Sequence, residues 1–557
     1  MREVLSPAAR SVAAAILVVS LAVPALAQTL ATASAQPAVQ TPGPVRRLTI
    51  DEAVQLGLEN NLNLRVQRIE PQLQDANVAQ AYSAWTPNLG ANLNWNDIDS
   101  PPDSLLAGSD QTLQTDQFLT TAGVSHQLPW FGTAYQVSWD AARLTTNNFF
   151  STFNPRLSSG FTLAFRQPLL RDLAIDAPRQ QLLVSKNNRE ISDIELRGIV
   201  VATVRDVKVA YWELAYAVAN LQAQQQSLDL ARQTLKDNRT RVEVGTMAPI
   251  DIVEAEAEVA RNEEAVIIAE AGIKRAEDRL RALILDPSKP DFWQASLEPA
   301  YDASAFVPQP ADAEEAVKNA LAKRTDLSSA QRQLDTTNLN VRYYHNQTLP
   351  QVNLEASFFG DGLGGDELLR EPGFPPGPVI GTATYPFSDV VGDAFGFRYP
   401  TWTFGVVVSY PIGTSAADAN YARARLQVNQ ARLQIQNLEL SIATEVRDFA
   451  RQVNTNIKRI EATRASRVLA QKRLEAEQKK FAVGMSTSFL VFQAQRDLTT
   501  ARNNELRALV DYATSRADFE AIQEASLTGA GITLSGGGGF LATSEGSQIG
   551  TLAAQQQ

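Results

Sequence analysis

Along the chain the spacing of apolar residues passes through one series of periods and then repeats the series. From Thr49 the apolar positions recur at helical spacing as far as Pro87. The period then drops to two, with Leu89, Ala91, Leu93 and Trp95 alternating against a face that is mostly asparagine. Beyond Pro168 the period becomes seven, through Val200, Val207, Leu214, Leu221, Leu228, Leu235 and Val242. A glycine, Gly245, closes that run, and a further helical pattern extends from Asp251 to about Leu285. These periods predict a short helix, strands, a very long helix from about Ala177 to Glu243, a turn and a shorter helix.

The second series begins at Asp312, an offset of 312 − 49 = 263, which carries Leu58 to Leu321, Leu64 to Leu327, Val78 to Val341 and Pro87 to Pro350. Each opening helix carries the signature of a capping box, Thr49 with Glu52 and Asp312 with Glu315. Each is stopped by its proline. The second long helix, expected from about Asp418 to Ala482, repeats the seven-residue seam at an offset of 239 through Val446, Val453, Ile460, Leu474 and Phe481, with Arg467 interrupting. A strict seven-residue repeat imposes a left-handed supercoil, and at 1.5 Å per residue each long helix is roughly 100 Å. The shorter helices, stacked end to end, run alongside the long ones. Val483-Gly484-Met485 then leads into a last helix ending near Ile522.

Period-two segments recur at Tyr135–Trp139, Phe161–Phe165, Val352–Phe358 and Phe404–Tyr410. Such alternation fits a transmembrane β-barrel with a wet lumen, and it fits a half-buried soluble sheet equally. The strand region spans 81 residues from Pro87 to Pro168 but 61 from Pro350 to Pro411. Four strands are therefore expected in the first copy and two in the second, with the Gly/Pro-rich stretch 360–378 as a surface loop. Two modules hold too few strands to close an open barrel, so closure requires several chains.

The ends of the chain alter this picture little. Residues 1–27, with Arg2, Arg10, an apolar run and Ala25-Leu26-Ala27, read as a secretory signal. Residues 28–47 read as a flexible linker, 48–285 and 312–524 as the two repeats, 286–311 as their connection, and 525–557 as a low-complexity, disordered tail. There is no cysteine, histidine occurs only at 126 and 345, and the net charge is −11. No metal site, cofactor site or catalytic constellation is recognisable, so no enzyme is expected. A nucleic-acid partner is disfavoured by the charge.

The paired Glu-Ala-Val helix starts, the junctions Trp85-Thr86-Pro87-Asn88-Leu89 and Leu349-Pro350-Gln351-Val352, and the paired Val-Gly turns resemble the outer-membrane efflux protein family, the TolC-like proteins. The resemblance implies a mainly α fold with a transmembrane β part: a homotrimer joining an outer-membrane β-barrel, in contact with lipid, to an α-barrel extending into the periplasm. It implies a passive duct for tripartite efflux or type I secretion. A periplasmic adaptor would dock at the tips Val244, Gly245, Thr246, Val483, Gly484 and Met485, and an inner-membrane pump would supply the energy. An acidic residue is expected six places after each tip glycine. Asp251 meets that pattern, Leu490 does not, and Gln493 stands where an aperture acid is often found. The rival reading is a structural trimeric coiled-coil protein, an adhesin or spacer.

Overall fold

A computed structural model describes residues 45–101, 112–290, 292–300, 307–374 and 376–524. The expected signal and C-terminal tail lie outside them. So does the expected linker, except for residues 45–47. Together with Leu48 they form a strand, β1 (Val45–Leu48), paired in parallel with β6 (Ser296–Pro299) from the inter-repeat connection. The linker therefore ends earlier than the composition suggests, because the connection offers it a free strand edge.

Helix α1 (Ile50–Asn60) starts on Thr49, where the capping box closes in both directions. Its counterpart α6 (Ala313–Lys323) has half a box: Asp312 accepts from the Glu314 and Glu315 amides. Copy one continues as α2 (Leu62–Gln67) and α3 (Glu70–Tyr82), whereas copy two runs unbroken as α7 (Thr325–Gln347). The cause of the break is Pro71, in the first turn of α3. Its counterpart at the 263-residue offset is Leu334, which keeps its amide hydrogen bond.

The long helices α4 (Ala177–Glu243) and α9 (Ala416–Ala482) are 67 residues each. The tip helices α5 (Ile250–Ile284) and α10 (Ser488–Ile522) are 35 each. α4 packs against α1, α3 and α5 on one side and against α7 and α10 on the other; α9 packs against α6, α7 and α10. The wall thus has four columns, two of them spliced from shorter helices. In copy one the splice is made by Asn60 and Asn61, whose side-chain amides donate to the Ile284 and Leu283 carbonyls at 3.1 and 3.2 Å. In copy two the Glu524 carboxylate accepts the Thr325 amide at 2.5 Å, capping α7 from beyond the end of α10.

The cores sit at these splices. Ala53 and Val54 of α1 bury against Val204, Val207 and Leu214 of α4 and Leu280 and Ile284 of α5. The counterpart sets Ala316 and Val317 against Ile442 and Val446. Each buried valine, leucine or isoleucine side chain here contributes about 1.5–3 kcal/mol. Tyr211, at the centre of the first core, donates across Leu48 O and Ala300 O at 3.2 and 3.1 Å and so ties the connection to α4. Along the second seam Val446, Val453, Ile460 and Leu474 are buried. The interrupting Arg467 is ion-paired to Glu505 of α10.

The sheet contains β2 (Asn88–Ser100), β3 (Leu113–Gln127), β4 (Ala134–Thr146), β5 (Phe153–Pro168), β7 (Gln351–Arg370), β8 (Val379–Tyr385) and β9 (Pro400–Ser409). Neighbours pair antiparallel in the order β2-β3-β4-β5-β7. β9 covers Gln351–Gly360 and β8 covers Gly365–Arg370 along the remaining edge of β7. Copy two therefore has three strands rather than two, although β8 and β9 lie end to end and add one strand's width. The loop expected over 360–378 is mostly strand: Gly360–Arg370 continue β7, and the glycines there serve a packing purpose. A nine-residue helix, α8 (Phe387–Phe395), follows β8.

Candidate functional site

Both tip turns follow from a single backbone requirement. Gly245 and Gly484 adopt φ of 76° and 79°, a region that glycine enters without strain. At tip one the Thr246 amide donates to Arg241 O (2.9 Å) and the Gly245 amide to Val242 O (2.9 Å). At tip two the Met485 amide donates to Lys480 O (2.8 Å) and the Gly484 amide to Phe481 O (3.2 Å). This is the same paired-bond helix ending twice. It projects Val244, Val483 and Met485, 68–77% exposed, off the end of the wall. No atom lies within 4 Å of where either glycine would carry a side chain, so backbone conformation, not space, demands glycine.

The tips touch each other. Ser488 Oγ, at the start of α10, donates to Asp251 Oδ1 at 2.8 Å. Arg241 reaches the Phe481 carbonyl at 3.4 Å and lies over the Phe481 ring at 4.6 Å. Beneath them Asn238, fully buried, donates to the Asp251 carbonyl at 3.5 Å. Further along, buried Glu258 of α5 accepts from Arg261 at 2.6 Å and from Arg496 of α10 at 2.8 Å. At tip two Glu477 accepts from Lys480 and from Ser486 Oγ, each at 2.8 Å. Those bonds, Lys480 first and Ser486 second, hold its carboxyl below the usual range.

Asp251 is thus engaged by the second tip. Leu490 is exposed, and Gln493 is half-buried on the same helix. Ser488, Arg241, Asn238 and the Glu258–Arg496 pair were not singled out from sequence. Their partners lie up to 240 residues away, and no spacing rule reaches that far.

At the other end of the molecule the strand register puts Leu89, Trp95, Val137, Phe161, Leu163, Phe358, Trp402 and Phe404 on one face of the sheet. The opposite face carries Gln136, Arg166, Glu355 and Ser357 and borders a groove of about 890 Å³. His126 locks the helix-to-strand junction, with Nε2 2.9 Å from Trp85 O and Nδ1 3.0 Å from the Tyr135 hydroxyl.

The chain is thus a duplicated helical wall with paired glycine tips, joined to a sheet that is apolar on one side and polar on the other. The chain belongs to the outer membrane efflux protein family, whose sequence pattern it matches over residues 53–284 and 316–522, one block in each repeat. It is 21% identical over 318 residues to nodulation protein T of Rhizobium leguminosarum bv. trifolii, a match covering 56% of this chain. The match spans about three fifths (61%) of that relative's own length. Among solved structures, the Campylobacter jejuni CmeC outer membrane channel superposes with a TM-score of 0.61 at 14% identity, covering 86% of this chain and 89% of that one. The open state of the Neisseria gonorrhoeae MtrE outer membrane channel gives 0.58 at 17%, covering 85% and 88%. The outer membrane protein VceC of Vibrio cholerae gives 0.58 at 13%, covering 85% and 95%. Family and fold agree with the expectation of a TolC-like, mainly helical chain.

Proposed function

We propose that three copies of this chain close into a passive duct, with the sheets forming a β-barrel in the outer membrane and the helical walls a barrel in the periplasm. The observation that carries the reading is that one chain leaves matching margins open. Among the described residues β2 and β9 are unpaired along their outer edges. On α9 Leu426, Leu433 and Leu440, seven residues apart, are 66–69% exposed. At the opposite margin of the wall Val66 of α2, Leu73 of α3 and Ile267 and Ile268 of α5 are exposed. A heterologous contact repeated around an axis covers all of these and leaves no strand edge free. No helix among the described residues is long and apolar enough to cross a membrane. In the proposed duct the apolar face of the strands meets lipid while the polar groove faces the lumen.

In this reading the exposed tips Val244, Gly245, Thr246, Val483, Gly484 and Met485 receive a periplasmic adaptor. Asp251, Leu490 and Gln493 border the aperture, and an inner-membrane pump drives export. The duct needs no catalytic residue. Protein extracted in detergent should have the mass of a trimer and, in a planar bilayer, give low, fluctuating conductance. A detergent-independent monomer would overturn the proposal.

A further inference from the structure

Helix α8 lies on the apolar face of the sheet, as the strand register shows. Gly360 stands opposite Phe161, and Phe358 stands opposite both Leu163 and Trp402. These positions all belong to the apolar face. α8 packs on β5 and β7, and Gly360, Gly362 and Gly364 form its seat. A methyl group on Gly362 would collide with the Val390 carbonyl, and one on Gly360 with the Ala394 carbonyl. Val390 and Ala394 are buried in the contact, and the Phe395 ring lies 4.9 Å from that of Phe161.

The segment is rich in aromatic residues that stay largely exposed even where one edge touches the sheet, as Phe397 does on Phe358. Phe387, Phe395, Phe397 and Tyr399 are exposed, interleaved with Asp389 and with Asp393, which pairs with Arg398 at 3.2 Å. Their height is set by the strands. β7 and β9 pair over ten residues, Gln351–Gly360. At the usual rise and barrel tilt those ten residues span about 25 Å, the height of an apolar band. α8 is seated on Gly360–Gly364, where that band ends. Aromatic rings beside carboxylates and a guanidinium suit the boundary between acyl chains and headgroups.

We propose that α8 is an interfacial anchor: its exposed rings enter the acyl–headgroup boundary of the outer leaflet, continuing the apolar surface of the strands. The inference rests on the barrel reading above, and the experiment separates the two. Because the chain has no cysteine, single variants Phe395→Cys and Phe404→Cys each carry one NBD fluorophore; Phe404 stands opposite Ala356, at mid-height of the band. The full chain is reconstituted in phosphatidylethanolamine–phosphatidylglycerol vesicles containing doxyl lipids that quench at shallow or deep positions. The probe at 395 should lose about half its emission or more to the shallow quencher and less to the deep one. The probe at 404 should show the reverse. Quenching at 404 with none at 395 overturns the anchor and leaves the barrel; a blue-shifted but unquenched probe at 395 means a second copy covers α8. Quenching at neither site overturns both readings. Phe397→Cys serves where the variant at 395 fails to assemble.

Discussion

Ser488 Oγ donates to Asp251 Oδ1 at 2.8 Å, joining the first residue of α10 to the first turn of α5 across 237 residues of sequence. With Arg241 on the Phe481 carbonyl and, further along, Arg496 on Glu258, it holds the two tips of one chain together. If the aperture opens by separation of these tips, the bond opposes opening.

Ser488→Ala should therefore raise open probability in planar bilayers. A hydrogen bond to a half-exposed carboxylate is worth about 1 kcal/mol, or roughly fivefold in the equilibrium. Asp251→Ala should give a similar rise and the double variant little more, since both remove one interaction. Additive effects would mean that the bond does not restrain the gate.

Gly245→Val and Gly484→Val force a β-branched residue into positive φ, at a cost of about 1–2 kcal/mol each, confined to the tips. Trimer formation should persist while adaptor co-purification and export fall. Unchanged export in both variants would remove the tips from the docking surface.

Acidification should loosen the second tip. Glu477 is held below its ordinary value of 4.5, mainly by Lys480 and then by Ser486. A lowered carboxyl contributes stability that is present above the unfolded value and is lost as pH falls through the folded one. The protection of the 483–487 amides, measured as exchange relative to the intrinsic rate at each pH, should thus be steady above about pH 4.5 and fall below it. In Glu477→Gln that acid-induced change should be absent, and an identical pH profile would exclude this carboxylate as the cause.

Gly362→Ala should destabilise the barrel end by about 1–3 kcal/mol through overpacking, and the 371–399 segment should become more sensitive to protease. Gly405→Ala, whose added methyl would meet nothing within 4 Å, is the control. Equal behaviour of the two would mean that α8 does not rest on the glycine seat.

Much of the fold was legible because it is written in periods and stops. Pro87, Pro168, Pro350 and Pro411 mark changes of period, and the ends of α4 fall where the seam and Gly245 put them. The Gly360–Arg370 stretch was misread because glycine alone is ambiguous between a loop and a close approach. The discriminating signal was their spacing, since 360, 362 and 364 share one face of a strand. α8 is too short to declare a helical period and gains its stability from the surface that receives it. The tip glycines were visible, but the bonds between the tips were not, because nothing local marks Ser488 as the partner of Asp251.

The equal lengths of α4 and α9 make the two halves of the chain matched rulers. Adding one residue to either would turn its tip by about 100° and advance it by about 1.5 Å. Arg241 would swing away from Phe481, and Asp251 would swing away from Ser488. Length changes are therefore tolerable only in steps that restore the seam, and only when made in both halves. The height of the wall is a single quantity that neither half can alter alone.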